Sequence, residues 1–223
     1  MIPYRLTMGL MSLYAAYGMG YSLAKSYKLD GVSGGVLSLT AFLFTTIPLN
    51  VDAFVKTATA AGIEGAAPMG WVLPMANLGG SGMFAAIISM IFAVETMRLL
   101  KKHNITIKMP EQVPESVSRS FEALIPAAVI ITVVWFIRVW LNFDIQTAIM
   151  NLFKPIVNVA GNSLGGVLIP VIFVTLLWSA GIHGMSVIGS LVRPIWLVLL
   201  DQNTAAIASG SALPNIAVEP FFQ

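Results

Sequence analysis

The sequence predicts an all-α fold: a polytopic transmembrane helical protein with a re-entrant hairpin and an interfacial amphipathic helix. Hydrophobic residues make up 57% of the 223 and charged residues only 10%, with a mean hydropathy of +0.84, whereas soluble domains carry about 25% charged residues. Apolar stretches of about 18 or more residues recur, each long enough to cross a hydrocarbon core of about 30 Å. Between residues 164 and 200, two shorter apolar stretches broken by glycine and proline flank the ionisable His183. Non-helical backbone at membrane depth survives only where protein or a water-filled cavity surrounds it, so this stretch reads as a hairpin rather than two clean spans.

In chain order, residues 6–24 read as the first span, with Lys25 and Lys28 immediately after it. Residues 32–49 form the second, rich in Gly34, Gly35, Ser38, Thr40 and Ala41, small residues that permit close helix packing. Pro48 and Asn50 break that pattern. The long connection over 50–82 holds Pro68, Pro74 and several glycines; its partly apolar composition predicts a folded loop or half-inserted helix. Residues 83–100 are the third span. The densest basic stretch follows it (Arg98, Lys101, Lys102, His103 and Lys108), and the positive-inside rule places that stretch in the cytoplasm. Lys25 and Lys28 fall on the same side, two spans earlier. Pro110, Pro114 and the alternating Ser116, Ser118 and Ser120 mark a structured cytoplasmic loop. Residues 123–141 are the fourth span, with Arg138 near the outer end, where a long cation can snorkel.

Residues 145–159 are too short and too mixed to span. Ile145, Ala148, Ile149, Leu152, Phe153, Ile156 and Val157 keep helical spacing, the pattern of an amphipathic helix lying in the interface. Residues 161–166 read as a flexible joint. The expected organisation is a transmembrane region over 1–141, the interfacial helix and joint over 142–163, and the hairpin region over 164–223.

His183 leads the candidate functional residues. A titratable imidazole at membrane depth is costly and faces a cavity or a partner; it would hydrogen-bond a sugar hydroxyl or relay a proton, and the bland alternative is a satisfied interhelical histidine. The flanking Gly181 and Gly184 let the backbone bend and a ligand come close. Trp178 offers a flat apolar face to a pyranose and an N–H donor, although a Trp near a helix end also serves as packing or an interface anchor. Asp201, Gln202, Asn203 and Thr204 come next, with Asn215 further on. Uncharged amides supply donor and acceptor together, as a polyol ligand requires; a loop emerging into water is the alternative. Glu219, before Pro220, reads as an acid in a solvated loop, and Arg193-Pro194 as a kink with a snorkelling cation.

The absence of cysteine excludes disulfides, thiolate metal sites and a cysteine nucleophile. His103 and His183 lie far apart without an HExxH-type neighbour, so no zinc site is expected, and no cofactor is implied. The net charge of +2 and pI near 9.0 reflect basic loops on one side of a membrane, not a nucleic-acid surface. No nucleophile elbow, phosphate-cradling loop or spaced acid pair is present, so no catalytic residue is assigned. No signal-peptide pattern opens the chain, and both ends read as cut from a longer protein.

Several stretches together resemble a known family. Residues 108–114 (Lys-Met-Pro-Glu-Gln-Val-Pro), 117–121, 123–126, the Trp178-to-Gly184 element and 212–216 (Ala-Leu-Pro-Asn-Ile) are similar, in the same order, to the membrane permease subunit, enzyme IIC (EIIC), of the phosphoenolpyruvate-dependent sugar phosphotransferase system, in its lactose/cellobiose/diacetylchitobiose branch. The resemblance implies a homodimeric, multi-pass transporter of the bacterial inner membrane, with a dimerisation region followed by a sugar-binding region. The β-linked disaccharide (cellobiose, diacetylchitobiose or lactose) would be phosphorylated at its 6-hydroxyl by a phosphocysteine on a separate cytoplasmic subunit, EIIB. His183 would help hold that hydroxyl, with Trp178 lining the pocket and Gln202, Asn203 and Asn215 as further substrate-binding candidates. The family's essential glutamate lies in a later Glu-Pro motif, so Glu219 does not inherit its role. This chain would cover roughly the middle half of a family member. Competing readings are a membrane oligomerisation fragment without transport activity and a proton-coupled transporter using His183. The basic loop around Lys101, Lys102 and Lys108 is the expected docking surface for EIIB.

Overall fold

The computed structural model describes residues 2–60, 70–107, 109–110 and 112–218. Its architecture is helical, with one two-residue strand pair among the described residues. The all-α expectation holds, and the departures from it are local.

α1 (Ile2–Leu6) and a 3₁₀ turn at Met8–Leu10 precede α2 (Met11–Ser26), so the apolar run over 6–24 is not one helix. The cause is tertiary. The Ser12 amide donates to Leu78 O at 2.9 Å and its hydroxyl donates to Gly79 O, taking donors that an unbroken helix would direct one turn back. α3 (Gly31–Phe44) starts at Asp30, whose carboxylate accepts from the Ser33 amide at 2.7 Å, an N-cap that satisfies one orphan donor of the first turn. It stops short of the expected residue 49. Pro48 disfavours helical backbone at the residue before it, and the Thr45 and Thr46 hydroxyls accept from Gln146 Nε2 at 2.9 and 2.8 Å.

The connection over 50–82 is folded. β1 (Leu49–Asn50) pairs antiparallel with β2 (Trp71–Val72), enclosing α4 (Asp52–Ala60); Pro68 lies outside the described residues. Two 3₁₀ turns, Met75–Asn77 and Gly80–Gly82, lead into α5 (Met83–Lys102). α6 (Glu115–Glu122) and α7 (Leu124–Trp135) follow, and α7 continues as a π-helical turn over Phe136–Trp140. By length and composition, Gly80–Lys102 and Val117–Trp140 suffice to cross a membrane. α2 and α3 extend only about 24 and 21 Å at helical rise.

α8 (Ile145–Asn162) is capped by Asp144, which accepts from the Thr147 amide at 3.1 Å. The expected flexible joint narrows to Ser163: α9 (Leu164–Ser179) begins at once, its N-cap Ser163 Oγ accepting from the Gly166 amide at 3.0 Å, and the chain turns by 80° between α8 and α9. α10 (Gly184–Ala208) runs through Arg193-Pro194 without a break. It carries Asp201, Gln202, Asn203 and Thr204 on helical backbone, which corrects the loop alternative. α9 and α10 pack on each other as a helical hairpin with His183 at its tip.

α2, α3 and α5 form a bundle, with α7 against α3 and α5. Phe84, Val157, Trp196, Val198 and Leu199 form a buried cluster that joins α5, α8 and α10, and Phe84 stacks on Phe153 at 4.1 Å. Of the apolar positions that mark α8 as amphipathic, Ile149, Phe153 and Val157 face this cluster, whereas Leu152 and Ile156 are exposed.

Candidate functional site

The element Trp178-to-Gly184 is built as one helix stop and one helix start. Gly181 takes φ +77°, its amide donates to Trp178 O at 3.0 Å, and the Ile182 amide donates to Leu177 O at 2.9 Å. Those two bonds form a Schellman motif, which needs a left-handed residue where glycine carries no Cβ penalty. His183 then caps α10: its Nδ1 accepts from the Ser186 amide at 3.2 Å and lies 2.9 Å from Ser186 Oγ. An accepting Nδ1 puts the proton of the neutral imidazole on Nε2. Gly184 serves packing rather than ligand access, since a Cβ there would meet Val174 Cα at 2.8 Å. Trp178 is 57% exposed, and its ring lies edge-on to the His183 imidazole with centroids 5.9 Å apart. The pair therefore presents an aromatic face beside an N–H donor at an exposed corner.

Gln202, Asn203 and Asn215 are not part of that corner. Some 20 residues of α10 separate His183 from Asn203, about 30 Å at helical rise. Asn203 and Asn215 are buried and close on each other: Asn203 Nδ2 donates to Asn215 O at 2.9 Å, and the Asn215 amide donates to Asn203 Oδ1 at 3.0 Å. Asn215 Nδ2 donates to Gln202 Oε1 at 2.9 Å and to Leu199 O at 3.2 Å. The amides staple residues 211–218 back onto α10. Asp201 performs a similar service at a distance, its Oδ2 accepting from the Ser81 amide at 3.2 Å, where the chain enters α5. Gly80 lies against Leu197 of α10, close enough that a Cβ would stand 2.8 Å from the Leu197 carbonyl carbon. Glu219 lies outside the described residues.

At the opposite end of the bundle from Arg138, Lys101 pairs with Glu122 at 3.4 Å and Arg119 with Asp30 at 3.7 Å across elements, and Arg98 with Glu95 at 3.3 Å within α5. Burial pushes the Asp30 carboxyl up, but its hydrogen bonds from Ser33 and the Arg119 and Lys101 charges outweigh this, leaving it below the ordinary carboxylate value. Lys102 is exposed, and Lys108 lies outside the described residues.

The family model for "Phosphotransferase system, EIIC" matches residues 1–223. The chain belongs to the EIIC family of the phosphotransferase system. The cellobiose-specific EIIC component of Geobacillus stearothermophilus is 36% identical over 99% of this chain and 49% of its own length. The lactose-specific EIICB component of Staphylococcus haemolyticus is 28% identical over 97% and 36%. Among solved structures, the transporter ChbC, the IIC component of an N,N'-diacetylchitobiose-specific phosphotransferase system, superposes with a TM-score of 0.81 at 36% identity, over 99% of this chain and 50% of that one. The EIIC chain thus spans about half the length of the unfused relative and about a third of the fused one, and its multi-pass membrane character follows from the family and from its apolar helices.

Reasoning from the EIIC sequence missed Gln146, which falls among polar positions of α8 yet is buried and bridges two threonine hydroxyls. Its signal was available in the adjacent Thr45 and Thr46 just before Pro48, a polar pair at the end of an apolar run.

Proposed function

We propose that this chain is the part of an EIIC permease that begins the sugar pathway: it helps translocate a β-linked disaccharide, which a cytoplasmic EIIB subunit then phosphorylates. The observation that carries the reading is the corner formed by Trp178 and His183. The indole of Trp178, a residue 57% exposed, stacks on the apolar side of a pyranose, and the His183 Nε2–H donates to a hydroxyl oxygen while Nδ1 stays committed to Ser186. The names of the relatives, cellobiose-specific and N,N'-diacetylchitobiose-specific, support the substrate class. The fused EIICB relative supports EIIB as the partner, with the cytoplasmic end around Lys101 and Lys102 as its docking surface. In this reading residues 1–141 belong to the region that forms a homodimer, and 164–223 open the sugar-binding region. Gln202, Asn203 and Asn215 hold that region together rather than touch the sugar.

The test is equilibrium binding of cellobiose, lactose and diacetylchitobiose to detergent-purified protein, for wild type and His183→Asn. Asparagine caps a helix well and so preserves the start of α10 while removing the imidazole. One sugar binding to wild type and at least about tenfold more weakly to the variant, the order of one lost hydrogen bond, is the expected result. Equal binding by the two proteins, or no binding by either, overturns the proposal.

A further inference from the structure

Where the 3₁₀ turns before α5 meet the start of α8, a cavity of about 130 Å³ is lined by Asn77, Ser81, Gln146, Thr147, Met150 and Asn151. Five of the six are uncharged polar side chains, and neither a carboxylate nor a cation is among them. The volume equals about four waters at about 30 Å³ each. It falls short of the range of about 300–1,000 Å³ that encloses drug-sized ligands, so a disaccharide is too large for it. Three of the polar side chains have already committed their hydrogens. The Thr45 hydroxyl donates to Phe42 O at 2.6 Å, so towards Gln146 it can only accept. That fixes Gln146 Nε2 on Thr45 and Thr46 and leaves Oε1 over. Arg138 Nε alone among the described residues is a sealed, partnerless side-chain atom, so Gln146 Oε1, which also lacks a donor there, keeps accessible surface. The Ser81 hydroxyl donates to Ala76 O, and the Thr147 hydroxyl to Asp144 Oδ2 at 2.9 Å. These three oxygens can accept or ligate but not donate, and Asn77 and Asn151 can each turn a carbonyl oxygen to the same space.

The surrounding charge has the matching sign. Asp144 answers the positive end of α8 by accepting from the Thr147 amide, and is itself paired with Arg138 at 3.0 Å. Asp201 accepts from the Ser81 amide at 3.2 Å and makes no ion pair among the described residues. Its charge therefore stands behind the cavity wall without a counter-charge. Hard cations take carbonyl, hydroxyl and water oxygens, and the divalent ones recruit carboxylates, of which this wall has none. We propose that the cavity binds one partly hydrated alkali-metal ion, Na⁺ or K⁺, ligated by Gln146 Oε1, Ser81 Oγ, Thr147 Oγ1 and the side-chain carbonyl oxygens of Asn77 and Asn151. Bound there, the ion joins the turns before α5 to α8 and, through Gln146, to the end of α3, and it balances Asp201.

Thermal midpoints of the detergent-purified protein in NaCl, KCl and choline chloride, titrated at constant ionic strength, test this. Na⁺ or K⁺ should raise the wild-type midpoint saturably above its value in choline chloride. Asn151→Ala removes one ligand from an exposed position, so its midpoint in choline chloride should stay near wild type. It should need about tenfold more cation for half of the rise, the factor one lost polar contact supplies. Asp201→Asn keeps an acceptor for the Ser81 amide but removes the charge, and should weaken the cation response as well. Equal midpoints in the three salts overturn the proposal and leave the cavity to water. A full rise at unchanged cation concentration in both variants also overturns it, because the ion then acts elsewhere. Saturation by Mg²⁺ at lower concentration than by Na⁺ or K⁺ would overturn the monovalent assignment.

Discussion

Replacing Asn203 by alanine separates two roles that its amide could hold. In the structure that amide exchanges two hydrogen bonds with the backbone of Asn215, at 2.9 and 3.0 Å, and both residues are buried. Alanine leaves the Asn215 N–H and C=O without partners, at about 1–3 kcal/mol for each buried group, so the central estimate is about 4 kcal/mol. For a chain of this size each kcal/mol moves the thermal midpoint by roughly 2–4 °C, which predicts a fall of about 8–16 °C in detergent, read by temperature-ramped size-exclusion chromatography. Gln202→Ala removes one hydrogen bond from an exposed residue and should cost no more than about 1 kcal/mol. If Asn203→Ala melts with wild type but loses its disaccharide, the amide contacts the sugar and the staple is misassigned.

Gly80→Val drives a side chain into the Leu197 carbonyl and should abolish the monodisperse peak, whereas Gly18→Ala, with nothing within 4 Å of its new Cβ, should leave it unchanged. Asp30 titrates below its ordinary value, so it contributes stability that is present above its unfolded pKa of about 3.9 and is lost as pH falls through the lower folded value. Asp30→Asn keeps a capping side chain and should flatten the loss of thermal midpoint between about pH 5 and pH 3; parallel profiles would contradict this. Gln146→Leu removes the donor to Thr45 and Thr46 and should cost about 1–3 kcal/mol without changing sugar affinity, measured by thermal melts and binding on the same preparation.

What the sequence made legible were features set by local pattern. α5 appears within two residues of its expected bounds because 83–102 is apolar until its basic end, and α8 starts at the expected residue and runs three residues further because its apolar positions keep helical spacing. Gly34, Gly35, Ser38 and Ala41 are buried in α3, as small residues at a helix crossing should be. The features that escaped depend on partners distant in sequence. Nothing near Thr7 predicts that Ser12 bonds to Leu78 and Gly79, and so the first apolar run looked continuous. For Asp201 to Thr204 the sequence leaves a ligand-facing cluster and an emerging loop both open, because four polar residues follow an apolar run. They remain helical because Asp201 reaches Ser81 and Asn203 reaches Asn215, which gives their polar groups partners inside the protein. At the candidate site the division is similar. The Gly-Ile-His-Gly element marked the tip of the hairpin and drew His183 and Trp178 together, whereas grouping the amides with them assumed a proximity that about 30 Å of helix rules out.

The central claim is that the sugar meets the chain at Trp178 and His183. The most direct measurement is fluorine NMR of protein carrying fluorotryptophan at its five tryptophans, with the Trp178 resonance assigned by Trp178→Phe. On titration with cellobiose or diacetylchitobiose the Trp178 resonance should shift saturably, while that of Trp196, which is 2% exposed in the core, stays in place. A titration that leaves Trp178 unmoved, or that moves only Trp71, Trp135 or Trp140, would contradict the account.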